Sequence, residues 1–171
     1  MKKSLKYVTL TAILTAISVV LDVLSKMIIP GNGNFGTPLF ALPLIIISLF
    51  INPIYGLMAG IISDYVGFML NPQGNYAVIF ALSAAMWGFL PGIISRYKSK
   101  WYLITLGILI AHVFATSANT LALWIEVGKL AATKMLWIRV SLIPVNVIVL
   151  SYLTILINQR MHPIYETFIE G

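Results

Sequence analysis

The sequence predicts an all-α integral membrane protein with six transmembrane helices and both termini in the cytoplasm. Three observations predict it: the composition, the apolar runs and the placement of the basic residues. Of the 171 residues, 60% are hydrophobic and only 9% are charged, and the mean hydropathy is +0.96. A soluble domain carries about 25% charged residues because its surface faces water. This surface must therefore face mostly lipid, which excludes a soluble enzyme, a nucleic-acid-binding module and a disordered chain.

The apolar runs are separated by charges and by clusters of proline, glycine and asparagine. A spanning helix needs about 20 mainly apolar residues. We place six spans, in a single domain over residues 1–171, at about 5–29, 38–51, 54–70, 77–95, 101–127 and 136–158. The second run is short, so we expect it to use the Thr37-Pro38 edge or not to span fully. The first run is long for a signal peptide and has no small-x-small cleavage site, so we interpret it as a retained span.

The basic residues favour cytoplasmic termini. With six spans, the inner segments hold seven of the 11 Lys and Arg residues: Lys2, Lys3, Lys6, Arg96, Lys98, Lys100 and Arg160. The outer segments hold four: Lys26, Lys129, Lys134 and Arg139. Cytoplasmic loops carry the excess of Lys and Arg in membrane proteins. The net charge of +6 is therefore explained by topology, and no nucleic-acid partner is predicted.

The sequence contains no pattern for catalysis, a metal or a cofactor. It has no cysteine, which excludes disulfides and cysteine metal sites. It has no HExxH, GxSxG or P-loop and no His/Asp/Glu set at metal-ligand spacing. We predict no enzyme activity, no cofactor and no metal. Six spans without a convincing inverted repeat are few for a stand-alone secondary transporter, so a transport role would need partners or oligomers.

Ionisable residues inside spans are unfavourable, by roughly 2.5–3.5 kcal/mol each, and need a reason. Asp22 and Lys26 are four residues apart and either neutralise each other or face a ligand. Asp64 is too deep to reach the interface with a short side chain, so it accepts hydrogen bonds from a neighbouring helix or contacts a ligand. His112, near the middle of its run, is either an interhelical hydrogen-bonding group or part of a proton relay. No chain of carboxylates accompanies it.

Arg139 stands near the outer end of the sixth span, against the charge bias that sets the topology. Its planar guanidinium suits a carboxylate or a carbonyl-rich ligand. The alternative is that the side chain extends to the outer headgroups.

Helical spacing predicts an aromatic and polar surface near the outer side. Tyr76, Phe80, Ser83 and Trp87 are spaced to share one face of the fourth span. His112, Asn119 and, approximately, Trp124 share a face of the fifth, and Arg139 and Asn146 share one of the sixth. Aromatic surface with a few amides and hydroxyls is typical of a pocket for a flat polar heterocycle. An interfacial aromatic belt explains Trp101, Trp124 and Trp137 without any ligand.

Small residues recur at intervals of four on two spans. They form the patterns Ala12-x-x-x-Ala16, Gly56-x-x-x-Gly60 and Ala59-x-x-x-Ser63-x-x-x-Gly67. Such stripes let helices approach closely, either within the protein or against a partner.

Together these residues resemble the substrate-binding S component of an energy-coupling factor vitamin transporter, of the folate-transporter-like family. The resemblance covers nearly the whole chain. Its most specific part is Tyr55-Gly56-Leu-Met-Ala-Gly60, then Ser63-Asp64-Tyr65-Val66-Gly67, then Asn71-Pro72-Gln73-Gly74-Asn75-Tyr76. This is similar to the family's G-x-x-x-G, D-x-x-G and P-x-G-x-Y series. Ala12-x-x-x-Ala16 resembles its docking motif, and Arg139 with Pro144 and Asn146 resembles its sixth helix.

The resemblance implies a subunit of the prokaryotic plasma membrane that binds a B-type vitamin near the extracellular face. It implies docking through Ala12 and Ala16 on a transmembrane coupling subunit driven by two ATPases, with the S component toppling in the membrane. It also implies a gating loop over 30–38, with Gly31, Gly33 and Gly36 permitting its motion. We assign the substrate site to Phe35, Asp64, Asn75, Tyr76, Phe80, Trp87, Asn119, Trp124, Arg139 and Asn146.

The vitamin is left open by the sequence. Folate-specific members of this family typically carry arginine near the outer end of the first helix, where this chain has Lys26. A lysine lacks the bidentate fork. A pyridine or pyrimidine such as pyridoxine or hydroxymethylpyrimidine suits Asp22 or Asp64, whereas pantothenate or folate suits Arg139 and Lys26.

Two other classes compete with this hypothesis. An autonomous carrier or channel would give solute flux from the chain alone. A membrane enzyme of lipid or prenyl metabolism would need paired carboxylates or histidines at the cytoplasmic face. The inner segments offer only Lys and Arg with His162 and two glutamates.

Overall fold

The computed structural model of the chain describes the backbone of residues 3–28, 38–72, 74–96 and 100–170. Side chains are described for 4–28, 38–72, 74–96 and 100–161. Phe35 and the predicted gating glycines, Gly31, Gly33 and Gly36, lie outside these ranges.

Within the described ranges the chain forms six α-helices and no strand. They are α1 (Lys3–Ile28), α2 (Ala41–Phe50), α3 (Pro53–Leu70), α4 (Val78–Ile94), α5 (Trp101–Glu126) and α6 (Lys129–Glu170). Stretches within α1, α3, α5 and α6 are long and apolar enough to cross a membrane: Ser4–Ile28, Pro53–Leu70, Trp101–Glu126 and Lys129–Met161. The all-helical, six-helix prediction is confirmed.

The short helix α2 is enclosed by the rest of the bundle. It packs against α1, α3, α4 and α6, and Leu44, Ile45 and Ile47 are completely buried. At 10 residues it is roughly 15 Å long, about half of a bilayer's hydrocarbon core. Because α2 is buried in protein, the hydrogen-bonding groups of the non-helical backbone before it can still be satisfied by neighbouring side chains. Ser18 of α1 does this by donating to the Phe40 carbonyl at 2.7 Å.

The connection from α2 to α3 follows from its sequence. Asn52 caps α3, since its side-chain oxygen accepts from the Ile54 amide at 2.8 Å. Pro53 occupies the first turn of the helix, where its missing N–H is not needed.

Glycines bring α3 and α4 into backbone contact. Gly56 faces Gly88, and a Cβ on either residue would overlap the carbonyl oxygen of the other. One turn further, Gly60 faces Ala84 in the same way. The small residues of α3 therefore serve packing inside the chain, which resolves the alternative left open by the sequence.

Helix α6 is longer than the predicted sixth span of 136–158. It begins at Lys129 and ends at Glu170. Gly128, with φ of +112°, makes the turn after α5, and only Val127 and Gly128 separate the two helices. Lys129 and Lys134 set the predicted start of this span at 136, because they mark the end of the apolar region. They do not stop the helix, because lysine is a good helix former.

Candidate functional site

A cavity of about 300 Å³ lies at the end of the bundle opposite the first residues of α1 and the last residues of α6. Five helices contribute to it: the end of α1, the end of α3, the first half of α4, the second half of α5 and the start of α6. Pro38 and Phe40, from the segment before α2, also line it. Seven of the ten predicted substrate-site residues line it: Asp64, Asn75, Tyr76, Phe80, Trp87, Asn119 and Arg139.

Aromatic rings form much of the wall. Phe80, Ser83 and Trp87, together with Tyr76 just before α4, line the cavity as their spacing suggests. Trp87 is only 2% exposed and meets the His112 ring edge-on, with centroids 5.2 Å apart. Phe68 of α3 contacts Tyr76 at a centroid distance of 5.1 Å. A flat ring can be held between such surfaces.

Two hydrogen-bond acceptors are buried in the cavity wall. Oδ2 of Asp64 on α3 and Oδ1 of Asn119 on α5 have no hydrogen-bond partner among the described residues. A buried acceptor without a donor is unfavourable by about 1–3 kcal/mol. These two atoms are therefore suited to a ligand that donates.

Tyr76 ties the α3–α4 connection to Asp64. Burial together with the nearby Asp64 carboxylate raises the pKa of Tyr76 to about 12. The phenol is therefore protonated, and remains a donor, at neutral pH.

Asp22 and Lys26 form an ion pair on α1, with Nζ and Oδ2 2.5 Å apart. Both side chains line the cavity. Gly67 of α3 lies against Asp22, and a Cβ there would be 2.8 Å from Oδ2. The interpretation that these two charges neutralise each other agrees with this geometry.

His112 is held by hydrogen bonds at both ring nitrogens. Asn146 Nδ2 lies 3.1 Å from Nε2, and Nδ1 lies 3.2 Å from Thr116 Oγ1. Asn146 does not line the cavity; it lies behind His112, which does. The amide of α6 thus reaches the site through the imidazole of α5.

Arg139 is 6% exposed and lines the cavity. Its side chain lies inside the bundle, which does not fit extension to the outer headgroups.

Trp124 lies on the outside of α5. It is 54% exposed, and the Lys129 Nζ lies 6.0 Å from its ring centroid. Trp101 and Trp137 are also exposed, at 67% and 75%. All three positions agree with the aromatic-belt interpretation.

Several cavity residues were not assigned to the site from the sequence. On α3, Phe68 and Asn71 follow Asp64 at i+4 and i+7, and on α5, Thr116 and Leu123 fall on the face of His112 and Asn119. Helical periodicity could have found these four. Ser25 lies at i+3 from Asp22, so periodicity could have found it as well. Pro38 and Phe40 had no such signal, because the packing of α2 brings them in.

The described residues contain no group of three or more His, Cys, Asp or Glu side chains that could hold a metal ion. The cavity wall combines aromatic surface with two buried acceptors, one ion pair between Lys26 and Asp22, and the buried guanidinium of Arg139.

Comparison with known proteins agrees with this architecture. Residues 6–159 match the family model described as the substrate-specific component of ECF transporters. A search of curated proteins found no match. Members of this family are multi-pass membrane proteins that serve as transport subunits. Since the match covers most of the 171 residues, the chain belongs to the family of substrate-specific components of ECF transporters.

Proposed function

We propose that this chain is the vitamin-binding subunit of an importer, of the folate-transporter-like branch, in a prokaryotic plasma membrane. Its ligand is a water-soluble B-type vitamin or precursor: folate, pantothenate, pyridoxine or hydroxymethylpyrimidine. The observation that carries the proposal is the cavity of about 300 Å³, which combines aromatic walls with buried polar groups. Ligand pockets have this character and a volume of roughly 300–1,000 Å³.

In this proposal the residues that line the cavity have separate roles in binding the vitamin. Phe80 and Trp87 stack on the ring of the vitamin, while Asp64, Asn119 and Arg139 set its orientation. Asn75 and Tyr76 form the wall between α3 and α4. His112, held by Asn146, supports Trp87 from behind.

The position of the cavity supports uptake from outside. It lies at the opposite end of the bundle from both termini, and the distribution of Lys and Arg favours cytoplasmic termini. The proposed gating loop with Gly31, Gly33 and Gly36 joins α1 to Pro38, and both α1 and Pro38 contribute to the cavity.

Transport then requires partners. Ala12 and Ala16 are exposed on the first half of α1, the half nearer the N-terminus. Small exposed side chains allow close helix contact, so we propose them as the docking site for a transmembrane coupling subunit driven by two ATPases. The S component then topples in the membrane to release the vitamin inside.

The experiment is calorimetry of the detergent-purified chain with the four vitamins, after mass spectrometry has excluded a co-purified ligand. The proposal expects one of them to bind at nanomolar strength. It also expects no solute flux when the chain alone is placed in liposomes. Flux without tight binding would instead favour an autonomous carrier.

A further inference from the structure

We propose that Ser48 of α2 is a positioning residue for the cavity: it holds α4 at an internal proline and thereby sets the orientation of Trp87. Ser48 does not line the cavity itself. Its role in vitamin binding rests on the proposed function, whereas its effect on the Trp87 ring can be measured without any ligand. Three features of α4 support the proposal: its interrupted hydrogen bonding, the contact from α2 and the close packing on two further helices.

Pro91 interrupts the hydrogen bonding of α4 one turn after Trp87. It lies inside the helix and has no N–H, so it cannot donate to the Trp87 carbonyl four residues earlier, as a residue of a regular helix would. A proline in a helix interior also allows the axis to bend at that position. A contact from outside the helix is therefore needed to fix the segment that carries the Trp87 ring.

Ser48 supplies that contact from α2. Its Oγ accepts a hydrogen bond from the Gly92 amide at 3.0 Å and lies 3.5 Å from the Phe89 carbonyl oxygen, to which it can donate. Ser48 is 3% exposed, so this hydroxyl is shielded from water. Gly92 permits the approach, because a Cβ on it would overlap the Ser48 hydroxyl. The hydroxyl thus contacts the backbone of α4 on both sides of Pro91.

Two other helices hold the same segment by close packing. A Cβ on Gly107 of α5 would lie 2.7 Å from the Pro91 Cα, and a Cβ on Gly88 would overlap the Gly56 carbonyl of α3. These contacts limit how far α4 can shift, whereas a hydrogen bond, which favours a nearly linear geometry, also restricts its rotation. The rotation of α4 decides the direction of Trp87, which is buried in the cavity wall.

The test without ligand uses the signal of a single tryptophan. The chain has four tryptophans, and replacing the exposed Trp101, Trp124 and Trp137 by Phe leaves Trp87 as the reporter. In this background Ser48→Ala should change the near-ultraviolet circular dichroism of Trp87 and increase the quenching of its fluorescence by acrylamide. The reason is that the ring is held less firmly when α4 can rotate.

Ser63→Ala is the matched control. Ser63 is 2% exposed, close to the 3% of Ser48, but its hydroxyl donates to the Gly60 carbonyl of its own helix at 3.1 Å. Its loss removes an equally buried hydroxyl without releasing α4, so the Trp87 signal should stay that of the parent. An equal change in the two variants, or none in Ser48→Ala, would overturn the proposal. If Ser48→Ala does not fold, Ser48→Cys, which accepts only weakly, takes its place with the same two outcomes.

The proline provides a second test. Pro91→Ala gives α4 an N–H that can donate to the Trp87 carbonyl, so the helix depends less on Ser48 at this position. Removing the Ser48 hydroxyl should therefore change the Trp87 signal less in the Pro91→Ala background than in the parent. Residues that act on the same contact give such a non-additive result. Equal changes in both backgrounds would contradict a role of Ser48 at the proline.

Calorimetry connects this contact to the vitamin site. With the tightest-binding of the four vitamins, Ser48→Ala should weaken binding roughly three- to tenfold, the order of one neutral hydrogen bond, while Ser63→Ala should keep the affinity of the parent. Unchanged affinity in Ser48→Ala would overturn the positioning role and leave the proposed function in place. If no vitamin binds to the parent, the proposed function fails, and the Trp87 signal still decides whether Ser48 orients the ring.

Discussion

Asn146 of α6 and His112 of α5 are joined through a single hydrogen bond of 3.1 Å between Nδ2 and Nε2. With the amide nitrogen as the donor, Nε2 accepts and the imidazole proton is on Nδ1. That proton faces Thr116 Oγ1. The bond therefore fixes the tautomer and the ring orientation of a cavity-lining residue that packs on Trp87.

Asn146→Leu should weaken ligand binding although residue 146 does not line the cavity. The change leaves Nε2 buried without its donor, which is unfavourable by about 1–3 kcal/mol, and frees the imidazole to turn. Calorimetry and thermal unfolding should both register the loss. Gln159→Leu is the matched control, since it removes an exposed amide from the same helix. Equal behaviour of the two variants would contradict the positioning role.

Gly56→Ala should destabilise the bundle. The new Cβ would overlap the Gly88 carbonyl, which is backbone and cannot move aside without separating α3 from α4. Overpacking of this kind is unfavourable by about 1–3 kcal/mol. Thermal unfolding in detergent checks it, with Ser117→Thr as a control that adds one methyl group at an exposed position. If the Gly56→Ala variant were as stable as the parent, the backbones of α3 and α4 would not be in contact at this position.

Ala12→Trp or Ala16→Trp should prevent assembly with the coupling subunit and leave vitamin binding intact. Both positions are exposed on α1 and neither lines the cavity, so the bulky ring blocks only an external contact. Co-purification of the complex and calorimetry provide the two readouts. Val113→Trp, on the exposed side of α5, controls for a bulky ring elsewhere. A complete complex formed by both alanine variants would remove the docking assignment.

Stability should fall at alkaline pH through Tyr76. Its pKa is raised from 10.0 to about 12 by burial and by the Asp64 carboxylate. Between these values the folded state holds a proton that the unfolded state has lost, so the free energy of unfolding decreases as pH rises. Below pH 10 this contribution is fully present. Chemical unfolding below and above this window should show a smaller decrease in the free energy of unfolding for Tyr76→Phe than for the parent. An identical decrease would contradict the assignment of this pH dependence to Tyr76.

Much of the fold could be predicted from the sequence because its boundaries are marked by strong local signals. Asn52-Pro53 ends one apolar run and caps the next helix. The α6 boundary at Lys129 could not be predicted, since charge reports the edge of the apolar region and not the end of hydrogen bonding in the helix. The central position of α2 could not be predicted either, because it depends on which helices surround it.

The candidate site could likewise be predicted only in part from the sequence. Residues that share a helix face, such as Phe80 and Trp87, were accessible to periodicity. The contacts between His112 and Asn146, and between Asp64 and Tyr76, join different elements, so they follow from packing rather than from spacing. Trp124 shows the limit of periodicity, because its angular position on α5 suggested the cavity while its ring lies outside.

Binding of a vitamin against Trp87 can be measured through the fluorescence of that ring. Titration with the tightest ligand of the panel, followed by tryptophan fluorescence and calorimetry, should be compared in Trp87→Phe and Trp124→Phe. We expect Trp87→Phe to lose the fluorescence response and to bind more weakly, while Trp124→Phe, altered at an exposed ring, keeps both. The opposite result would contradict binding against Trp87: the fluorescence response and the vitamin affinity would survive in Trp87→Phe and be lost in Trp124→Phe.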